Sequence, residues 1–141
     1  MSNELRQAVR ALGLLTRRLE RAAGDVSLAH YRVLAAIAEG DARASRLADK
    51  LALGKPTISA SVDALTRKGL ITREGVPGDQ RATALSLTEQ GRITLAAVEG
   101  EMNVVLRELG QCTPAAQTAV AALAALSGAM DDIRGEKAVT R

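Results

Sequence analysis

The side chains that carry covalent chemistry are scarce in this chain: His30 is its one histidine and Cys112 its one cysteine. One of each leaves no triad, no metal-ligand cluster and no thiolate-rich zinc site. No phosphate loop or nucleophile motif is present either. The expectation is a protein that is not an enzyme and that carries no cofactor or metal. What the chain does offer is noncovalent. Residues 69–88 read GLITREGVPGDQRATALSLT, with Arg81 beside a tip that contains Gly75, Pro77 and Gly78. A guanidinium on a projecting tip can enter a DNA minor groove, whose negative potential attracts it. Asp79, two residues earlier, could pair with Arg81 and fix its direction. Upstream, Lys55, Thr57, Ser59 and Arg67 stand among the small Pro56 and Ala60.

Those residues need elements to hold them. Leu5, Ala8, Val9, Leu12, Leu15, Leu19 and Ala22 recur at helical spacing and predict a first helix over residues 3–23. Ser27 is the expected N-cap of a second helix, which ends at Gly40. Asp41 is expected to cap a short third helix with Leu47 and Leu51 inward, and Leu53-Gly54 to break it. A fourth helix then runs from Gly54 to Lys68, with Pro56 in the first turn, where a missing N–H costs nothing. At 100° per residue Ile58, Val62 and Leu65 share its inner face, while Pro56, Ala60, Asp63 and Arg67 share the outer one. A face so small and polar fits a major groove, where the first turns of a helix approach base edges. Strands follow at 70–74 and 81–87, with Thr83, Leu85 and Leu87 on one side. A ribbon of two strands is marginal alone, so neighbouring elements must hold it. Thr88 caps a long helix to about Gln111, and Thr113-Pro114 opens a last helix to about Arg134. The fold class expected is mostly α with a small β-hairpin: a winged helix-turn-helix over 27–91, flanked by terminal helices at 1–24 and 92–141.

Composition bounds the rest. The 141 residues fit one domain, 47% hydrophobic yet with a single Tyr and no Phe or Trp. A core of Leu, Ile, Val and Ala buries little area per side chain, which points to burial against a second copy. The N-terminal MSNELRQAVR lacks a signal-peptide stretch, and the longest apolar run, 119–126, is too short to span a membrane. With one cysteine, a cytoplasmic protein without membrane contact is expected. Charge is uneven: residues 41–81 carry eight Lys/Arg against five Asp/Glu, and residues 82–136 carry three against seven. A basic middle suits a polyanion such as double-stranded DNA.

The stretch LADKLALGKPTISASVDALTRKGLITREGVPGDQRATALSLTEQG resembles the winged-helix core of the multiple-antibiotic-resistance regulator (MarR) family. The parts that carry the resemblance are LADKL, KPTISASVDAL, KGLI, the Asp-x-Arg of Asp79-Gln80-Arg81, and LSLTEQG; it extends closely over 27–95 and in layout only beyond. It implies a homodimeric transcription regulator, usually a repressor, that binds pseudopalindromic operators. It also implies terminal helices that interlock across the dimer axis, and a small-molecule effector, often an aromatic anion. By position it assigns the recognition-helix surface to Lys55, Pro56, Thr57, Ser59 and Ala60. The full DNA-binding set expected is Lys55, Pro56, Thr57, Ser59, Ala60, Ser61 and Arg67 on the helix, with Asp79 and Arg81 on the wing. Two positions depart from the family pattern: Ala60, where an arginine is common, and Gln80, where a second wing arginine is common. Two rival functions stay open, a winged helix that binds protein and a thiol-based redox sensor acting through Cys112. Cys112 is otherwise expected to be a buried structural thiol, His30 a surface or partly satisfied residue rather than a pH sensor, and Arg6, Arg10, Arg17, Arg18 and Arg21 mostly the solvated side of the first helix.

Overall fold

The structure, a computed structural model, describes residues 2–40 and 43–139, with side chains except those of 131 and 134–139. Its element order is α1 (Asn3–Ala23), α2 (Leu28–Ala38), α3 (Ala44–Leu51), α4 (Lys55–Arg67), β1 (Ile71–Val76), β2 (Asp79–Leu87), α5 (Glu89–Cys112) and α6 (Pro114–Val139). Mostly helical with one antiparallel hairpin, it has the expected winged-helix architecture. No described helix is long and apolar enough to cross a membrane.

Helix ends follow from local chemistry. Ser2 Oγ accepts from the Leu5 N–H at 3.2 Å, Ser27 Oγ from that of His30 at 3.1 Å, and Thr113 Oγ1 from that of Ala116 at 3.0 Å. Each satisfies an otherwise orphaned first-turn donor. The expected cap Asp41 lies outside the described residues. The break after α3 comes earlier than Leu53-Gly54: Ala52 is left-handed at φ 51°, and its N–H turns back to the carbonyls of Ala48 and Asp49. Arg32 reaches across from α2 and donates to the Leu51 carbonyl at 2.6 Å, which satisfies a second group at this helix end.

Residues up to Met102 form one compact unit and those from Asn103 onward another. In the first, Val33, Leu34, Leu47, Ile58, Val62, Leu65, Ile71 and Leu85 make one continuous core. A smaller cluster joins Ala23, Val98 and Met102, with Tyr31 packed against it. The Tyr31 hydroxyl donates to Glu99 at 3.4 Å; burial, then the carboxylate, raises its pKa above the usual 10. In the second unit α6 extends beyond the expected Arg134 to Val139. Leu126, Met130 and Ile133 on it are all exposed, while Val120 and Leu123 are half-buried.

The wing is held in three ways. Ile71, Leu85 and Leu87 project from one ribbon face into the core. Arg43, just before α3, bridges Ala84 on the outer edge of β2. At the base, Thr88 N–H donates to the Leu70 carbonyl at 3.0 Å, while Thr88 Oγ1 donates to the Gly69 carbonyl at 2.6 Å and accepts from Gly91 N–H at 2.9 Å. Gly91 is required there: a Cβ on it would stand 2.0 Å from the Leu70 oxygen.

Candidate nucleic-acid interface

The α4 sequence KPTISASVDALTR separates two faces. Ile58, Val62 and Leu65 are buried, whereas Lys55, Pro56, Thr57, Ser59, Ala60, Asp63 and Arg67 are not. Ser61 departs from the expectation. It is only 5% exposed, because the helical rotation sets it beside Leu65 on the inner face rather than with Ala60. It therefore leaves the set of groove-facing candidates. Gly54 caps α4 without a side chain, so the first-turn N–H groups stay accessible beside Lys55.

The tip of the wing is tighter than its sequence suggests. Val76 pairs with Asp79 across Pro77-Gly78, and Gly78 takes φ 82°. Proline followed by a residue with positive φ is the signature of a type II turn. Both strands reach further toward this tip than the expected 70–74 and 81–87. They do so through a bulge. Gly75 pairs with Thr83 while Val76 pairs with Asp79, so Gln80, Arg81 and Ala82 have no direct partners on β1. A bulge re-aims the side chains it carries. Arg81 sits in its middle, exposed.

Asp79 acts differently from the expected side-chain pair. Its Oδ1 accepts from the backbone N–H of Arg81 at 3.0 Å, which fixes the chain path as an Asx-turn does. The Arg81 guanidinium has no ionic partner among the described residues. The same holds for Lys55 and Arg67. Arg73 of β1, which sequence reasoning missed, is tied instead: its guanidinium donates to Asp63 Oδ1 on the outer face of α4. The signal that could have found it is strand alternation, which puts Arg73 on the same side as Ile71.

The residues set aside behave in two ways. Cys112 is exposed rather than buried, because α5 ends at it and α6 starts two residues later, with Sγ donating to the Glu108 carbonyl at 3.4 Å. It lines an open cleft of about 570 Å³ at this elbow, together with Arg107, Gln111 and Pro114. His30 is half-buried, and its Nδ1 is buried without a hydrogen-bond partner among the described residues. Burial first, and the Lys68 ammonium second, lower its pKa below 6.5. The α1 arginines are exposed as expected, Arg17 pairing with Glu20 at 3.6 Å. Groups of three or more metal-ligating side chains are absent among the described residues.

Residues 24–82 match the model of the MarR family. AbsC, a MarR family transcriptional regulator from Streptomyces coelicolor, is 23% identical, with 96% of this chain and 97% of that one covered and a TM-score of 0.75. The transcriptional repressor CouR bound to a 23-mer DNA duplex is 24% identical, covering 85% and 88%, with a TM-score of 0.73. CouR from Rhodococcus jostii RHA1 bound to p-coumaroyl-CoA is 19% identical over 94% and 92%, also at 0.73. At these identities the structures share a fold, and the family model adds the sequence pattern of α2 through the wing. The winged-helix core from Gly24 to Ala82 thus matches the MarR family, and the chain shares its fold with solved MarR-type structures.

Proposed function

We propose that this protein is a cytoplasmic transcription regulator that binds double-stranded DNA as a homodimer and represses from pseudopalindromic operators. The observation that carries the reading is the pairing of two cationic elements on one unit. One is the outer face of α4, where Lys55 and Arg67 have no ionic partner among the described residues; the other is a bulged wing that presents Arg81. Thr57, Ser59 and Ala60 read base edges in the major groove, while Lys55 and Arg67 neutralise phosphates. Arg81 enters the flanking minor groove, its direction set by Asp79 through the backbone. With Ala60 in place of an arginine, thymine-methyl contact and DNA shape carry more of the specificity.

Dimerisation is supported by apolar surface that a lone chain leaves in water. Leu5, Val9 and Leu12 of α1 are 53–62% exposed, and Leu126, Met130 and Ile133 of α6 are 53–63% exposed. Covering such stripes with a second copy supplies the burial that an aromatic-poor core lacks. A small-molecule effector releases the DNA; the likeness to CouR, solved with p-coumaroyl-CoA, supports this part. The test is selection of bound fragments from a random duplex pool. A motif with two-fold symmetry is expected, and recovery of fragments without any shared motif would overturn the reading.

A further inference from the structure

A carboxylate is out of place on a surface that lies against phosphates, yet Asp63 stands there. It follows Ser59 by one turn and precedes Arg67 by one turn on the outer face of α4. Unpaired, it would repel a polyanion. Arg73 answers it from β1, donating to Asp63 Oδ1. Arg73 pairs in register with Leu85 and follows Ile71 by two residues, and both of those are 1% exposed. It therefore belongs to the inner ribbon face and reaches α4 from beneath the wing. The ion pair clasps the recognition helix to the wing.

The fold has little need of it. Both side chains are about half exposed, at 55% for Asp63 and 41% for Arg73, and exposed pairs add little stability. Ile71, Leu85 and Leu87 already anchor the ribbon. Meanwhile Lys55, Arg67 and Arg81 carry no ionic partner among the described residues, so on this face Arg73 is the cation that is held back.

We propose that Asp63 determines specificity by acting through Arg73: it keeps that guanidinium on the recognition helix and off the phosphates, so helix and wing meet DNA at a fixed spacing. The inference rests on the DNA-binding reading above. Affinity for unmatched DNA comes from phosphate neutralisation, to which a freed Arg73 would add whatever the sequence. Matched DNA rewards base contacts, which depend on the helix and the wing arriving together in register. Removing the carboxylate charge therefore strengthens wrong complexes more than the right one. Asp63 is in this sense a positioning residue, and it touches no base.

The test compares wild type, Asp63→Asn, Asp63→Glu and Arg73→Gln on a duplex carrying the selected motif and on a scrambled duplex, titrated across salt. Asp63→Asn is expected to bind scrambled DNA severalfold more tightly, with the log K against log salt slope steeper by about 0.9 for each additional phosphate neutralised. Its preference for the selected duplex falls severalfold. Asp63→Glu keeps the clasp and the wild-type preference. Arg73→Gln exposes the carboxylate, weakens both complexes and lowers the preference as well, so the outcome does not hang on one variant's folding. Wild-type preference in both Asp63→Asn and Arg73→Gln, or equal strengthening of both duplexes by Asp63→Asn, would overturn the proposal while leaving DNA binding intact. A wild-type protein that does not distinguish the two duplexes would sink the DNA reading itself, and this inference with it.

Discussion

Arg81 stands exposed within a bulge, its amide donates to the Asp79 carboxylate, and its guanidinium has no ionic partner among the described residues. Arg81→Ala should therefore leave the fold unchanged while weakening DNA binding by about 1.5–3 kcal/mol per wing, the size of a hydrogen bond to a charged group. The salt slope should become shallower by about 0.9 for each phosphate no longer neutralised, read by fluorescence anisotropy over a salt series. Arg81 was legible as a candidate from Asp79-Gln80-Arg81 beside a Gly/Pro tip, but the bulge and the backbone role of Asp79 were not, since register depends on both strands at once. Ser61 was misassigned for a similar reason, as its small polar side chain hides which side of the helix it occupies. His30 gives a separate prediction. Its pKa is lowered in the fold by burial and Lys68, so the folded state keeps it neutral while the unfolded chain takes up a proton near 6.5. Its contribution to stability is complete above that value and is lost as pH falls from there toward the folded pKa. Urea midpoints measured between about pH 7.5 and about pH 5.5 should drop in the wild type and drop less in His30→Gln.

Among the elements, helix starts were the most readable part, because Ser27, Thr88 and Thr113-Pro114 are caps with a mechanism. The end of α3 was not readable: an alanine in the left-handed region carries no sequence signal, and neighbouring Leu53-Gly54 offered a more plausible break. The joint between α4, β1 and α5 was legible only as a run of short-range signals. That Gly91 admits no side chain there emerges from the approach of α5 to the Leu70 carbonyl, where backbone meets backbone. Gly91→Ala should lower stability by about 1–3 kcal/mol, since the clash falls on main chain that cannot rotate away. Chemical denaturation checks this, and because the same joint seats the base of the wing, DNA affinity should fall with it.

Across the whole molecule, a composition without Phe or Trp suggested that one chain could not finish its own core, and exposed stripes on α1 and α6 are what such a shortage leaves. The partner of those stripes was beyond the reach of periodicity, which reports that a face is apolar and not what covers it. The proposed binding of DNA by two copies would join the interface to that surface, and stoichiometry on matched DNA probes both together. The most direct measurement is sedimentation of the protein with a duplex carrying the selected motif, beside a duplex with one half-site scrambled. A complex whose protein mass is twice 14.7 kDa is expected on the intact motif, and a clear loss of affinity on the half-scrambled one. One chain per duplex, or equal affinity for both duplexes, would contradict DNA binding by two copies.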